Sequence, residues 1–435
     1  MRRDAIYGFN DHFTEGERPR SMRCAVCTPR SPAGDATEME KPMATYLYEV
    51  LDNLIAFDTV SSQSLVPAIE YFADHMIGHG LKTAVHKIDV LGVPQANLIA
   101  WAGPPSPGGL IITGHLDTVP VEGQPGWEHD PFKMEIDGNR IFGRGSSDMK
   151  GFLAQCADAV RTLEQARLKR PVVFVFTADE EVGMLGAREL APALQRLLGD
   201  VPQPGLAWIG EPTSYAVLHA HKSICTFEVR VSGRGGHSGA PDQGVNAIAV
   251  MGKVIEVLGN LQAERRAIEN SEFVDVFPES PYDVMNLGTV RGGLATNVIA
   301  EQCVLRASYR SLPKTEPLAL YKEITRRLGT IDPHDYASAE IAATIDVNLL
   351  LAAPPMWSDR DTSLEKVLFE VTGNQSARGA QFATDGAWFS GAGIQCLICG
   401  PGDYEQAHQP NESIGRDAFE RGPAMITQVI QRMCR

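Results

Sequence analysis

Apolar runs of strand length alternate with amphipathic segments over the first half of the chain. Runs that are apolar at nearly every position indicate strands buried on both faces, as in a parallel sheet that helices cover. The predicted strands lie at 82–87, 96–102, 109–115, 171–177 and 205–209. The predicted helices lie at 43–57, 65–80, 149–166 and 185–198. We therefore predict an α/β domain built on a mainly parallel sheet.

The order of the elements changes after the strand at 205–209. The pattern there predicts strands at 224–233, 284–292, 302–310 and 338–347, with helices at 245–261 and 316–329. This β-α-β-β-α-β order is that of the ferredoxin-like unit. We expect a ferredoxin-like α+β domain at 219–347, inserted between two parts of the α/β domain at 43–218 and 348–435. Residues 1–42 are polar and rich in Pro, Gly and Arg, which predicts a disordered extension.

Composition narrows the class of protein. The chain has 435 residues, of which 43% are hydrophobic, so two or more domains with their own cores are expected. The net charge of −15 argues against nucleic acid or an anionic membrane surface as a partner. No apolar run approaches the roughly 20 residues that a membrane-spanning helix needs. The eight cysteines do not form the dense pattern of a disulfide scaffold, and reduced cysteines fit a cytoplasmic protein.

Residues of the metal-ligand type follow several of the strand-like runs. They are His115, Asp148, Glu181, Glu211 and His408. Because ligands of open α/β sheets bind at the carboxyl ends of the strands, we expect these side chains to meet there. Imidazole and carboxylate ligands suit two divalent ions, zinc first and cobalt or manganese as alternatives. The sequence therefore predicts a hydrolytic site with two metal ions.

The same pattern predicts separate tasks for the carboxylates. Asp148 is the expected bridge, because a carboxylate has one oxygen for each of two ions. Glu180 is not needed as a ligand beside Glu181, so it is the expected general acid and base. Asp117 lies two residues after His115, on the same face of an extended chain, and its side chain is expected to hold the imidazole.

Each of these residues also has an ordinary explanation when it is considered alone. Asp148 could cap the helix that follows it, and Glu211 could be a turn residue. Glu180 and Glu181 could form a solvated charge pair, and the two histidines could be structural or exposed. Because all of these coincidences in one chain are improbable, we favour the metal site.

Six short motifs occur along the chain: GHLDTVP, GRGSSDMKG, ADEEVG, GEPT, GRGGHSG and GPGDYEQAHQPNE. They resemble those of the M20 family of di-zinc aminoacylases and exopeptidases, and most of all its acetylornithine deacetylase and succinyl-diaminopimelate desuccinylase branch. The similarity extends from about residue 43 to the C-terminus. The resemblance implies that His115 and Glu211 hold one metal, that Glu181 and His408 hold the other, and that Asp148 bridges them. It also implies a cis peptide bond between Asp148 and Met149.

The resemblance further implies roles for residues outside the metal cluster. His237 corresponds to a histidine that stabilises the oxyanion in the neighbouring subunit's site, and the inserted domain corresponds to one that commonly forms a homodimer. Arg310, Asn297 and Asp385 lie where relatives contact the substrate, and a guanidinium binds a carboxylate bidentately. The segment ATDG around Asp385 departs from the TE-type segment of acetylornithine enzymes.

The expected activity is metal-dependent hydrolysis of the amide bond of an N-acyl amino acid. N-acetylornithine, which would give ornithine and acetate, is the first choice of substrate. Succinyl-diaminopimelate, other N-acyl amino acids and small dipeptides are alternatives. A non-catalytic metal-binding or assembly protein is the alternative of a different class, and Glu180 argues against it because a pure binder does not need a spare carboxylate.

Overall fold

The computed structural model describes residues 44–90, 92–268, 270–332 and 342–435, so the extension predicted at 1–42 lies outside the described residues. The helices are α1 Ala44–Ala56, α2 Val66–Gly78, α3 Lys150–Arg161, α4 Leu185–Leu190, α5 Leu194–Leu198, α6 Ala247–Arg266, α7 Ala319–Leu328, α8 Ser363–Thr372, α9 Gly386–Gly391 and α10 Arg416–Cys434. None of these helices is both long enough and apolar enough to cross a membrane.

Eighteen strands are found in the same ranges. They are β1 Lys82–Val90, β2 Val93–Ala102, β3 Leu110–His115, β4 Glu135–Asp137, β5 Arg140–Phe142, β6 Val172–Thr177, β7 Leu206–Ile209, β8 Leu218–His221, β9 Ile224–Ser232, β10 Gly236–His237, β11 Val284–Gly292, β12 Val298–Ile299, β13 Gln302–Arg310, β14 Thr344–Ala353, β15 Met356–Trp357, β16 Arg378–Ala380, β17 Gln395–Ile398 and β18 Ser413–Gly415.

The large sheet has the order β1-β2-β6-β3-β7-β17-β8-β15, with β16 beside β8. Its central strands β6, β3, β7 and β17 are parallel. Side chains alternate between the faces, so Ile112 packs with α1, α2, α3 and α10 while Ile111 packs with α4, α5 and α9. Burial on both faces explains why these strands are almost entirely apolar, and the predicted α/β class is confirmed.

The inserted domain is a four-stranded antiparallel sheet in the order β11-β13-β9-β14, with two helices packed against it. Its core includes Phe227, Leu258, Leu305 and Ile324 from the sheet, α6 and α7. The side chain of Asn246 accepts hydrogen bonds from the first turn of α6, which places the start of that helix. The strand order is the ferredoxin-like one that the pattern predicted.

The boundaries of the inserted domain differ from the predicted 219–347. At the start, β8 pairs with β15, β16 and β17 of the large sheet, so the inserted sheet begins with β9. At the end, β14 continues to Ala353, because Leu349–Ala353 pairs with Ile224–Phe227. The apolar residues at 349–353 could belong to a strand of either sheet, and only their pairing with β9 shows that they belong to the inserted sheet. Residues 338–341 of the predicted last strand lie outside the described residues.

The helix predicted at 185–198 is broken into α4 and α5. Pro192 lies between them and has no N–H to donate to the preceding turn. The two short helices still bury Leu190, Leu194 and Leu198 against the sheet. The apolar spacing therefore predicted the buried face correctly, while proline decided where the helix is interrupted.

Candidate active site

The five predicted metal ligands come together at the carboxyl ends of the central strands. His115 is the last residue of β3, and Glu211 lies two residues beyond β7. Glu181 lies in the loop after β6, while Asp148 lies just before α3 and His408 in the segment before β18. Parallel strands all end at one edge of the sheet, so side chains far apart in sequence meet there.

Asp148 lies between two pairs of side chains. Its Oδ1 is 3.0 Å from Nε2 of His115, and its Oδ2 is 3.4 Å from Nε2 of His408. Glu211 Oε2 is 3.9 Å from Nε2 of His115, and Glu181 Oε2 is 2.9 Å from Nε2 of His408. Ligand atoms of His115, Asp148 and Glu181 all lie within 4.8 Å of one another. Each oxygen of Asp148 thus faces a different His–Glu pair, which is the arrangement that a bridging ligand needs.

The charges in this cluster fit two divalent cations. Burial and the charge of Glu211 raise the pKa of Glu180 well above its ordinary value. Burial opposes ionisation of Asp148, but hydrogen bonds from His115 and His408 outweigh it and lower the pKa of Asp148. The four carboxylates of Asp148, Glu180, Glu181 and Glu211 outnumber the two imidazoles of His115 and His408, and bound cations would compensate this excess of negative charge. Imidazole and carboxylate are also suitable donors for zinc.

Asp117 holds the loop that carries the two glutamates. Its carboxylate accepts hydrogen bonds from the main-chain N–H of Glu180 and of Glu181, both at 3.1 Å, and from Ser61 Oγ at 2.8 Å. Nδ1 of His115 is 3.0 Å from the main-chain oxygen of Asp117 but 3.6 Å from its carboxylate. The Asp117 carboxylate therefore holds the neighbouring loop and also lies within ion-pair distance of the imidazole, while the hydrogen bond to Nδ1 comes from the main chain.

A cavity of about 400 Å³ lies beside the cluster. Asp148, Glu180, Glu181, Glu211 and His408 line it from the large α/β domain. Arg310, at the end of β13 in the inserted domain, also lines it with a half-buried side chain. Both domains thus contribute to the cavity, the α/β domain with carboxylates and the inserted domain with a guanidinium.

The amino-acid sequence of residues 111–432 matches the model of peptidase family M20/M25/M40. The chain belongs to this family. An acetylornithine deacetylase from Proteus mirabilis is 32% identical over 365 residues, which cover 83% of this chain and 89% of the relative. Another from Edwardsiella ictaluri is 33% identical over 353 residues, which cover 80% of this chain and 87% of that relative.

Solved structures share the fold of this M20 family chain. An M20 family metallo-carboxypeptidase from Sulfolobus solfataricus matches with a TM-score of 0.72 at 16% identity, covering 89% of this chain and 99% of that chain. A dinuclear metal-binding M20 peptidase from Bacillus subtilis matches with a TM-score of 0.60 at 18% identity, covering 89% of this chain and 97% of that chain. The M20 resemblance of the motifs is therefore confirmed, and the chain is an M20 family hydrolase.

Two residues expected at the M20 active site lie outside the cavity of their own chain. His237 is exposed on β10, and its Nδ1 accepts a hydrogen bond from the N–H of Gly239. β10 pairs with β12, and Asn297 immediately precedes β12, so His237 and Asn297 are neighbours. Neither residue lines the cavity that contains Asp148 and Arg310.

Asp385 does not lie where a substrate contact was expected. The residue is 2% exposed and does not line the cavity. Its Oδ2 accepts a hydrogen bond from the Thr177 hydroxyl at the end of β6. Burial raises the pKa of Asp385 to about 7. The structure therefore corrects the expectation, because the start of α9 holds this carboxylate in the interior rather than at the cavity surface.

Three residues of the site were not identified from the sequence. Phe382 and Tyr404 stack with ring centroids 4.7 Å apart and line the cavity. Glu412, which is buried, binds the loop that carries Asp148. Tyr404 and Glu412 lie in the motif GPGDYEQAHQPNE, and their nearness to His408 was the only signal in the sequence. The peptide bond between Asp148 and Met149 is cis, as the resemblance implied.

Proposed function

We propose that this M20 family hydrolase cleaves the amide bond of N-acyl amino acids at a site for two zinc ions. The observation that carries the proposal is Asp148 between two His–Glu pairs, with Glu180 left over beside the same cavity. His115 and Glu211 would hold one ion, Glu181 and His408 the other, and Asp148 both. When bound, the ions would polarise the acyl carbonyl and make water nucleophilic at neutral pH.

Glu180 is the residue that moves the proton. Its side chain lines the cavity. Among the described contacts, the Glu180 carboxylate forms no ion pair and no hydrogen bond with His115 or His408. Its raised pKa suits a carboxylate that first accepts a proton from the attacking water and then donates one to the departing amine. Asp117 fixes the main chain at Glu180 and so aims its side chain at the cavity.

Arg310 binds the α-carboxylate of the substrate. Its guanidinium lines the cavity, and no ion pair to it is found within the described ranges. Burial lowers the pKa of Arg310, as expected for a cation that lacks a partner. A guanidinium forms two parallel hydrogen bonds with a carboxylate, so Arg310 would hold an anionic group of the substrate in the cavity that Glu180 also lines.

N-acetylornithine is our first candidate substrate because the relatives from Proteus mirabilis and Edwardsiella ictaluri are named acetylornithine deacetylase. The cavity lining supports a second candidate, an N-acyl amino acid with an uncharged apolar side chain. Met184, Ile224 and Leu351 line the cavity together with the stacked Phe382 and Tyr404. Apart from Glu180 and the proposed ligands, the described lining contains no carboxylate to pair with the δ-ammonium of ornithine.

Comparing N-acetylornithine, N-succinyl-diaminopimelate and N-acetylmethionine on the zinc-loaded protein tests the function and separates these candidates. Hydrolysis of none of them, measured as release of free amine, would refute the proposed activity. Arg310→Met is expected to raise KM for the hydrolysed substrate about 10–100-fold, the effect of losing hydrogen bonds to a charged group. The carboxamide analogue of that substrate is the control, since Arg310→Met and the wild type should hydrolyse it equally. An equal loss on both compounds would contradict the carboxylate contact.

The proposed ligand roles predict the metal content of two variants. His115→Ala is expected to retain one zinc ion per chain, because Glu181, His408 and Asp148 remain. Asp148→Ala is expected to lose both ions or bind both weakly, because its two oxygens face both pairs. Elemental analysis after dialysis measures the difference. Two ions per chain in Asp148→Ala would contradict the bridging role.

We also propose that two copies of the chain associate through the inserted domain. His237 is exposed and absent from its own cavity, so a second subunit's site is where it can act. Apolar side chains near it are exposed: Leu294 at 95%, Val290 at 54% and Val298 at 40%. β11 is also an edge of the inserted sheet. A symmetric dimer would cover these side chains and bring each His237 towards its partner's cavity.

A further inference from the structure

A buried carboxylate connects the two segments that carry Asp148 and His408. Glu412 lies four residues after His408 and directly before β18, and it is 1% exposed. The donors to its carboxylate all belong to the loop at 144–148, which is 264 to 268 residues earlier in the chain. Glu412 therefore joins distant parts of the sequence at the point where both supply proposed metal ligands.

Both oxygens of Glu412 are fully used in this contact. Oε1 accepts the main-chain N–H of Ser147 and of Asp148, each at 2.9 Å. Oε2 accepts the main-chain N–H of Gly145 at 3.0 Å and the Arg144 guanidinium at 2.8 Å. Four donors converge on two oxygens away from water, and a carboxylate satisfies all of them while a neutral amide cannot.

We propose that Glu412 is a positioning residue that orients Asp148 towards both metal positions at once. The inference rests on the proposed two-metal site. Glu412 binds the N–H of Asp148 itself, and the side chain of that residue reaches His115 through Oδ1 and His408 through Oδ2. β18, which directly follows Glu412, pairs with β5, which shortly precedes the 144–148 loop. This pairing holds the same two segments of the chain together. A shift of the 144–148 loop would move Asp148, the ligand that both ions share, and would weaken the binding of both ions together.

Zinc affinity of the metal-free protein tests this role without measuring catalysis. Glu412→Gln keeps the length of the side chain but turns an amide NH₂ towards two of the four donors. The affinity for both zinc ions is expected to fall about 10–100-fold, as is usual when a residue that supports a ligand is changed. Competition with a chromophoric chelator measures both affinities, at a temperature where circular dichroism shows folded protein. Unchanged affinities for both zinc ions, or a lower affinity for only one of them, would overturn the proposal.

Glu365→Gln is the matched control for burial of a carboxylate. Glu365 is also 1% exposed, and it accepts hydrogen bonds from Arg360 Nε at 2.7 Å and from the N–H of Asp361 at 2.6 Å. It lies at the start of α8 and does not line the cavity. This variant is expected to have a lower Tm with unchanged zinc affinities. If both variants lower Tm and neither changes zinc binding, the role of Glu412 is structural.

Glu412→Asp provides a second measurement, needed if Glu412→Gln does not fold. It keeps the charge but is too short to reach all four donors, so we expect weaker binding of both ions with a smaller loss of stability. Tight binding of both ions by folded Glu412→Asp would contradict the proposal. Wild-type protein that binds fewer than two zinc ions would instead refute the two-metal site, so the two failures are distinguishable.

Discussion

Replacing Glu180 by Gln is expected to lower kcat by about 10²–10⁴-fold while two zinc ions remain bound, the usual contribution of general acid and base catalysis. The amide keeps the size of the side chain but has no basic oxygen to accept a proton. Because His115, Asp148, Glu181, Glu211 and His408 form the proposed metal site, the ligands are unchanged. Kinetics on the hydrolysed substrate, together with elemental analysis of the same sample, measure both expectations.

Glu181→Gln is the matched control for this experiment. The two glutamates are adjacent, and Asp117 holds both of their main-chain N–H groups. Glu181 nevertheless contacts His408 at 2.9 Å, so its substitution is expected to reduce zinc occupancy as well as activity. Near-normal turnover in Glu180→Gln, or loss of zinc equal to that in Glu181→Gln, would show that the two residues do not have separate roles.

His237→Ala is expected to reduce turnover by about 10²–10³-fold, the effect of removing one oxyanion donor, without changing zinc content. Zinc content should not change because His237 lies on the exposed β10 and not beside the metal ligands of its own chain. Sedimentation of the wild-type protein measures whether it is a dimer at assay concentrations. A monomer with full activity would contradict the proposed contribution of a second subunit.

Mixed dimers test that contribution directly. When His237→Ala subunits exchange with Glu180→Gln subunits, one site of each mixed dimer has both a normal Glu180 and a normal His237. Statistical exchange makes half of the dimers mixed, so recovery of about a quarter of wild-type activity is expected. Mixing Glu180→Gln with Glu181→Gln is the control, because both defects lie in the chain's own site. No recovery in the first mixture despite demonstrated exchange would rule out action across the dimer.

The sequence alone predicted most of the fold because its apolar periodicity is strong. A continuous apolar run such as 171–177 has to be buried on both faces, as in a strand between two layers of helices. β6 is buried along its whole length. The exceptions are local. The helix at 185–198 is interrupted at Pro192, and β14 continues to Ala353 because it pairs with β9. Pairing of this kind depends on a partner more than 100 residues away and leaves no periodic signal.

The residues that supply the proposed metal ligands could be predicted from their places along the chain. His115 is the last residue of a buried strand and Glu181 and Glu211 follow two others, and the ends of parallel strands meet at one edge of the sheet. The contacts of the remaining carboxylates became visible only in the folded chain. Asp117 holds the loop of Glu180, Asp385 is buried against Thr177, and Glu412 binds the N–H of Asp148. The physical reason is that a side chain's partner depends on its direction and on donors brought from distant segments, and neither is encoded in local sequence spacing.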